Sequence, residues 1–529
     1  MSSFQPRAAR RILCALVIGG AAECAFSAPA GAQFSPWATF PLAFADARVL
    51  PRGVLRIAFA PSYASYDSRF AAAGTVEPLG ADLTADTAGS NVLWSLGSAE
   101  QAVRRIMGDS TYRMTLGSLR TQLDADVRRI PLDVAFGITD RLTLTARVSL
   151  VKTRMQAVVT LDSTQGNVGW SQLTSQANNA AAAAQITTLV SQLGTAVQSL
   201  ENQINGGGYG CPSGPSCAPA MAALARARAL LDGLTTLTDA AMPVAPLGTS
   251  AAGTAVRAEV TAVIAQLQSL GLGPFTGSLA LPGKTLTATD FQTLLGAPAF
   301  GYDLRPIETT DISRIGDTEV GLRFGLIQRP AVRLVLHAAA RLPTASRDSI
   351  DHVVDLGTGD RQLDAELGLE ASLEGEALGL SAGAVFTRQF ADNLTLRPLA
   401  ARPLMPATFN GPYRRDLGDV VQLSAYPSIR LNPAFRVYAL AHYYRKSGDT
   451  YEYAGPQTPE VPATTQTEAA SALNLGGGIH YRAERAGAEE VRLPVEAGLS
   501  YQAAYRGEAG TTPKSTMLNL YLRLYYQIF

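Results

Sequence analysis

The sequence predicts an all-β protein: an antiparallel transmembrane β-barrel of about 12 strands, with a large, mostly helical insertion in an outer loop. Three observations carry this. Residues 515–529 put Leu518, Leu520, Leu522, Leu524, Tyr526 and Ile528 on one parity and Asn519, Tyr521, Arg523, Tyr525 and Gln527 on the other, the period of an extended strand. Similar segments recur in pairs, each pair joined by a short turn and followed by a longer polar loop, the hairpin rhythm of a membrane barrel. Beyond the amino-terminal segment no run of about 18 uncharged apolar residues occurs, so a membrane would be crossed by strands rather than helices. Arg523 selects lipid over a soluble core: facing lipid at the midplane it would cost roughly 2–4 kcal/mol, but on the opposite parity it points into a wet lumen.

Taken in order, Arg7, Arg10 and Arg11 precede an apolar run from Ile12 to Ala22, and Ala30-Gly31-Ala32 offers the small residues of a cleavage site. Residues 1–32 therefore read as a signal peptide, 33–52 as a periplasmic segment and 53–529 as the barrel. Glu23 before Cys24 argues against a lipoprotein. Forty-four basic and 44 acidic residues balance, which argues against nucleic acid as a partner. Past the signal only Cys211 and Cys217 remain, in CPSGPSC; a disulfide closing that short loop would contribute about 2 kcal/mol at most. A zinc site, the alternative, lacks a second ligand pair nearby, and no metal or cofactor is expected.

The expected strands are 53–63, 120–138, 141–151, 317–328, 331–342, 361–374, 377–389, 419–431, 434–446, 470–483, 491–505 and 515–529. Thr139-Asp140, Gln328-Arg329-Pro330 and Asn432-Pro433 supply turn chemistry between them. Alternation then assigns faces. Arg333, His337 and Arg341 fall inward on one strand, Asp364, Glu366 and Glu370 on the next, and Glu319 and Arg323 on the one before. Basic and acidic rows would meet as a ladder along the lumen, either neutralising the wall or selecting solutes. Tyr438, His442 and Tyr444, with His480 and Arg482 on the neighbouring strand and Tyr426 on the preceding one, make the wall aromatic there, as a binding patch or as simple filling. Arg523 joins them from the last strand.

Residues 152–316 form the insertion, placed outside by strand parity. Ile186, Leu189, Val190, Leu193, Val197, Leu200 and Ile204 recur at helical spacing, and 221–237 and 255–270 repeat the pattern, giving a helical module over about 171–270. Such helices are marginal alone and would pack together, as a cap or a plug with a gating or partner-binding role, or as a tolerated insertion. Residues 90–108 are also helical in period.

Enzyme motifs fare poorly. Gly379-Leu380-Ser381-Ala382-Gly383 matches GxSxG but lies inside an alternating strand rather than at a strand-to-helix elbow. Residues 277–285 have one residue too many between glycines for a phosphate loop. Asp348, Asp351, His352 and Asp355 cluster in one outer loop without a positioned nucleophile, so no catalytic residues are assigned.

The final strand resembles the closing strand of bacterial outer-membrane proteins, whose terminal Phe is read by the barrel assembly machinery. Phe529 is one residue out of step with the apolar parity, and a bulge near Gln527 would reconcile it. Leu50-Pro51-Arg52-Gly53, Phe136-Gly137-Ile138-Thr139-Asp140-Arg141-Leu142, Gly316-Asp317-Thr318-Glu319-Val320-Gly321-Leu322 and Leu356-Gly357-Thr358-Gly359-Asp360 resemble the turn and strand motifs of the meta-pathway phenol-degradation type of outer-membrane protein. That resemblance implies a channel in the outer membrane of a Gram-negative-type bacterium, surrounded by outer-membrane lipid and passing a small hydrophobic or aromatic solute. It does not extend to the helical insertion, and Pro343-Thr344-Ala345 stands where the group often has Pro-Thr-Gly. A surface adhesive protein, with the barrel as anchor and the module as binder, is the alternative.

Overall fold

A computed structural model describes residues 47–71, 74–398, 404–459, 461–483, 495–508 and 512–529. The expected signal peptide and most of segment 33–52 lie outside the described residues, as does the start of the strand placed at 491.

Where lipid-facing and lumen-facing requirements alternate residue by residue, the chain builds one closed antiparallel sheet of twelve staves. In chain order these are β1 (Val54–Phe59 continued by Ser62–Tyr66), β2 (Ser118–Thr139), β3 (Leu142–Asp162) and β4 (Thr310–Ile315 continued by Thr318–Gln328). Then come β5 (Val332–Leu342), β6 (Asp364–Glu374), β7 (Leu378–Gln389) and β8 (Val420–Arg430). The last are β9 (Phe435–Lys446), β10 (Ala470–Arg482), β11 (Glu496–Glu508) and β12 (Thr516–Gln527). Two staves are interrupted. Pro61, with no N–H to give, breaks β1, and Gly316-Asp317 breaks β4, yet both halves of each keep the same neighbour. The sheet closes where β1 pairs with β12, from Val54 opposite Gln527 to Phe59 opposite Leu522.

The tight reversals share one end with the seam. At β2–β3 the Thr139 hydroxyl accepts from the Arg141 and Leu142 N–H groups at 3.2 and 3.0 Å. At β8–β9 the Asn432 side chain accepts from Ala434 and Phe435, both at 2.9 Å. Each holds a turn that proline or a short polar side chain initiates.

The pleat sorts the side chains as alternation requires. Leu336, Leu367, Leu369 and Leu520 stand exposed on the outer wall, while their sequence neighbours His337, Glu366, Glu370 and Tyr521 turn inward. A bulge near Gln527 is not found: the β1–β12 register runs unbroken to Gln527. Instead the chain leaves the strand there, and Phe529 swings onto the lipid-facing Phe136, ring centroids 6.1 Å apart. Gly53 makes that possible. It holds φ of +76°, and a Cβ there would stand 2.5 Å from the Phe529 carbonyl oxygen.

β2 and β3 run past their other neighbours, to Ser118 and Asp162, as a two-stranded ribbon. The chain therefore leaves the barrel eleven residues beyond the strand end that alternation suggested at 151. Towards and along this ribbon the pleat continues but the polarity of its two faces reverses. Leu119, Leu123, Ala125, Val127 and Met155 are buried inward, whereas Arg120, Gln122, Arg128 and Arg154 are exposed outward.

Against that inward face packs the helical module: α1 (Leu96–Met107), α2 (Ala180–Asn205), α3 (Cys217–Leu237), α4 (Ala251–Ser269) and α5 (Ala288–Gly296). Leu189, Leu193, Leu230, Leu234, Val256 and Phe291 share one hydrophobic core with Leu119, Val127, Tyr66 and Met517 of the barrel. α1 crosses α3 at Gly233, where a Cβ would come within 2.5 Å of Ile106. α5 is the helix that periodicity did not reveal; a Thr287–Asp290 capping box starts it. Cys211 and Cys217 form a disulfide between α2 and α3. Among the described residues no helix is long and apolar enough to cross a membrane.

Candidate functional site

The barrel interior is the site, and it is built in tiers. Nearest the chain termini lies a tier of guanidinium groups around two carboxylates. Glu374, at the end of β6, accepts from Arg333 at 2.8 Å, Arg436 at 3.0 Å and Arg48 at 3.1 Å. Glu496, at the start of β11, accepts from Arg523 at 3.2 Å, with Arg48 at 3.6 Å and Arg482 at 3.7 Å. Arg48 precedes the barrel in sequence, yet it bridges staves that stand nearly opposite one another in the wall. Its segment is threaded into this mouth: the Leu50 N–H donates to the Thr143 hydroxyl at 2.8 Å, and Ala47 and Leu50 are buried.

The next tier is aromatic. Tyr426 and Tyr438 meet edge to face with centroids 6.0 Å apart, and His480 stacks on Tyr521 at 5.9 Å. Leu440 and Tyr521 pack with both tyrosines. All are nearly fully buried, so here the rings pack against one another and narrow the lumen.

Above lies a polar tier around a cavity of about 110 Å³, lined among others by Arg147, Glu319, His337, Arg341, Glu366 and Tyr426. Arg147 pairs with Asp133 on β2 and, at 3.2 Å, with Glu319 on β4. Arg323 donates to Glu370 at 2.6 Å, reaching across β5. His337 bonds Glu366 at 2.8 Å, and Arg341 bonds Asp364 at 3.0 Å. In a narrow lumen such pairs hold because each charge has a partner of opposite sign.

Of the residues expected inward from alternation, Glu319, His337, Arg341, Glu366, Glu370, Tyr426 and His442 line this cavity, Asp364, Tyr438, Tyr444, His480 and Arg523 are buried, and Arg323, Arg333 and Arg482 are half-buried. They divide differently from the expected aromatic wall. Tyr444 packs with Val420 and Ala472, and His442 lies within 3.3 Å of Gln422 and 3.4 Å of Asn474, apart from the tyrosine tier. Arg48, Arg147, Asp133, Glu374, Arg436, Glu496 and Tyr521 were not singled out. Six of the seven sit on staves, where parity alone would have marked them; Arg48 sits in a segment without periodicity.

The motifs set aside earlier are also placed. Ser381 lies in mid-strand on β7, opposite Ser372 and Tyr426, with no elbow. Arg305, from the insertion, donates to Asp351 of the β5–β6 loop at 2.7 Å, and within that loop the Ser349 N–H donates to Asp355 at 2.8 Å. The other Asp355 oxygen is buried without a hydrogen-bond partner, and burial pushes this carboxyl up to about 7. Among the described residues no group of three or more His, Cys, Asp or Glu is arranged to hold a metal.

No family model matches the chain, and no curated protein matches it. Among solved structures it is similar to an outer membrane channel from Pseudomonas putida F1, at 10% identity and a TM-score of 0.41, covering 92% of this chain and 100% of that one. It is also similar to a FadL homologue from Pseudomonas aeruginosa, at 9% identity and a TM-score of 0.29, covering 95% of this chain and 99% of that one. A third is the Pseudomonas putida toluene transporter TodX, at 11% identity and a TM-score of 0.25, covering 91% of this chain and 90% of that one. Likenesses this shallow do not bear on function; the barrel architecture rests on the strand register itself.

Proposed function

We propose that this chain is an outer-membrane channel for the passive uptake of small hydrophobic or aromatic molecules. The observation that carries the reading is a closed barrel with an apolar outer wall around an interior cavity of about 110 Å³. A cavity that accepts benzene measures about 150 Å³ in a well-studied engineered case, so one aromatic ring is the scale of solute that suits this interior. The lining refines the choice. The ring of Tyr426 and the neighbouring charged groups favour an aromatic solute bearing a hydroxyl or carboxyl over a bare hydrocarbon, because the charged groups would be left unsolvated beside the latter. The turn and strand motifs that resemble the phenol-degradation type agree with that class.

In this reading the helical module covers the outer mouth, and the segment around Arg48 narrows the inner one. In the same reading Phe529, exposed at the seam, is the residue that the barrel assembly machinery would recognise. The test uses protein refolded into planar bilayers and into vesicles loaded with a phenol-detecting dye. Arg48→Ala removes a strut across the inner mouth, so conductance and phenol entry should both rise over wild type. Absence of conductance and of phenol entry in both proteins would sink the channel reading and leave the barrel as an anchor.

A further inference from the structure

The outer wall carries a polar row where lipid exposure ends. Three paired side chains, Ile130 on β2, Leu150 on β3 and Ile315 on β4, form the last apolar row of this wall, with 48%, 50% and 52% of their surface exposed. One row further from the turns, direct partners across the same sheet are Tyr63, Arg128, Lys152 and Ser313. The row beyond contains Ser65, Asp126, Arg154 and Asp311. Three cations thus stand together at the upper edge of the apolar belt, on the side that faces lipid below.

Their partners leave this patch unbalanced. Lys152 turns to Asp311 at 2.9 Å, and Asp126 accepts from the Tyr63 hydroxyl. Arg128 lies over the Tyr63 ring, 5.7 Å from its centroid, and makes no ion pair with the described residues. Arg154 makes neither a hydrogen bond nor an ion pair with them. Arg128 and Lys152 are moreover direct cross-strand partners, an arrangement of like charges that weakens a sheet unless an anion lies between them. A soluble anion would use only the charges. An amphiphile whose anionic head meets Arg128, Lys152 and Arg154, and whose chains lie on Ile130, Leu150 and Ile315, uses both rows.

We infer that Arg128, Lys152 and Arg154 form a docking site for the phosphate group of a phosphorylated lipid in the surrounding outer leaflet. The site rests on the barrel being embedded in a membrane but not on its being a channel. The cations supply charge-assisted hydrogen bonds to the phosphate oxygens, and the Tyr63 ring holds Arg128 at the boundary.

The test is retention of lipid by the full chain. Protein is refolded into phosphatidylcholine vesicles containing either lipid A or the same lipid A stripped of its phosphates, then extracted in mild detergent and analysed by native mass spectrometry. Wild type should retain the phosphorylated form selectively, and added inorganic phosphate should not displace it. Each of Arg128→Ser, Lys152→Ser and Arg154→Ser should weaken retention about fivefold. Arg445→Ser, an exposed arginine on the opposite side of the barrel, should leave it unchanged. All these side chains are at least partly exposed, so the variants should still insert, which a heat-dependent gel shift verifies. Equal retention of both lipids, or retention unaffected by the three variants, overturns the site and leaves the barrel reading standing. Displacement by inorganic phosphate alone also overturns it, in favour of a soluble anion. Failure of wild type to insert in any vesicle overturns both.

Discussion

Glu374 is shared by Arg333, Arg436 and Arg48, all within 3.1 Å. Replacing it with Gln leaves three guanidinium groups around a neutral side chain in a confined lumen. Glu374→Gln should destabilise the barrel by about 2–4 kcal/mol, somewhat under the dry-core figure because the lumen is wet, read as a lower temperature for the unfolding gel shift. Asp355 works the other way. Its folded carboxyl is raised from 3.8 to about 7 by burial. Below about pH 4 the group is protonated in both folded and unfolded chains and contributes nothing. Between there and about 7 the unfolded chain gives up its proton first, so folding loses stability as pH rises; above about 7 the loss is constant. Asp355→Asn should therefore melt with wild type near pH 4 and above it near pH 8, the gap opening between. A gap that is constant with pH would refute the burial argument. Inward charges such as Arg341 and Asp364 were legible because parity is a binary code. Arg48 was not, because a single arginine in an aperiodic segment gives no sign that it will enter the mouth, nor does Asp355 announce that a loop will bury it.

At the scale of the element, the instructive strands are β2 and β3. Within the belt their outward residues are Ile130, Leu132, Val134 and Leu144; beyond it, Arg128, Gln122 and Arg154. The medium changes on both sides at once. Outside, lipid gives way to water, and inside, the charged lumen gives way to the apolar underside of α1 to α5. A sequence reader looking for one apolar parity stops where the parity flips, which is why β3 was expected to end near 151 when it runs to Asp162. The flip is itself a legible signal once both faces are considered. α2, α3 and α4 were readable because each spans several turns with one apolar stripe; α5, nine residues long, offers too few repeats. The belt makes a quantitative claim: Leu369→Arg, outward on β6, should cost about 2–4 kcal/mol in a lipid-vesicle folding equilibrium. A cost near zero would mean that this wall does not face lipid.

For the whole molecule, the helical module and the barrel share one hydrophobic core. Leu119 and Leu123 of β2 are covered by the helices and would be bared without them. Deleting residues 171–270 should therefore reduce the yield of folded barrel severalfold, measured by gel shift after refolding, in addition to any change in conductance. Unchanged yield would mean that the two fold independently. Conductance experiments on the helical module are better made with point variants at its edge than with the deletion. The helical module was expected from its periodicity, but its common core with Tyr66 and Met517 was not, since no local pattern encodes which distant surface a stripe will cover.

The pairing of β1 with β12 has a temporal consequence. Val54 and Gln527, neighbours at the seam, lie at opposite ends of the described chain, so the ring cannot close until its last stave has arrived. Contacts of such long sequence separation form slowly. Until then β1 and β12 each present an open strand edge, and a chain held there would be exposed to wrong partners. The slow step is thus the meeting of the two distant ends rather than the pairing of neighbouring staves. A residue that hastens or delays the meeting of Gly53 and Phe529 should alter how much protein matures without altering the matured form.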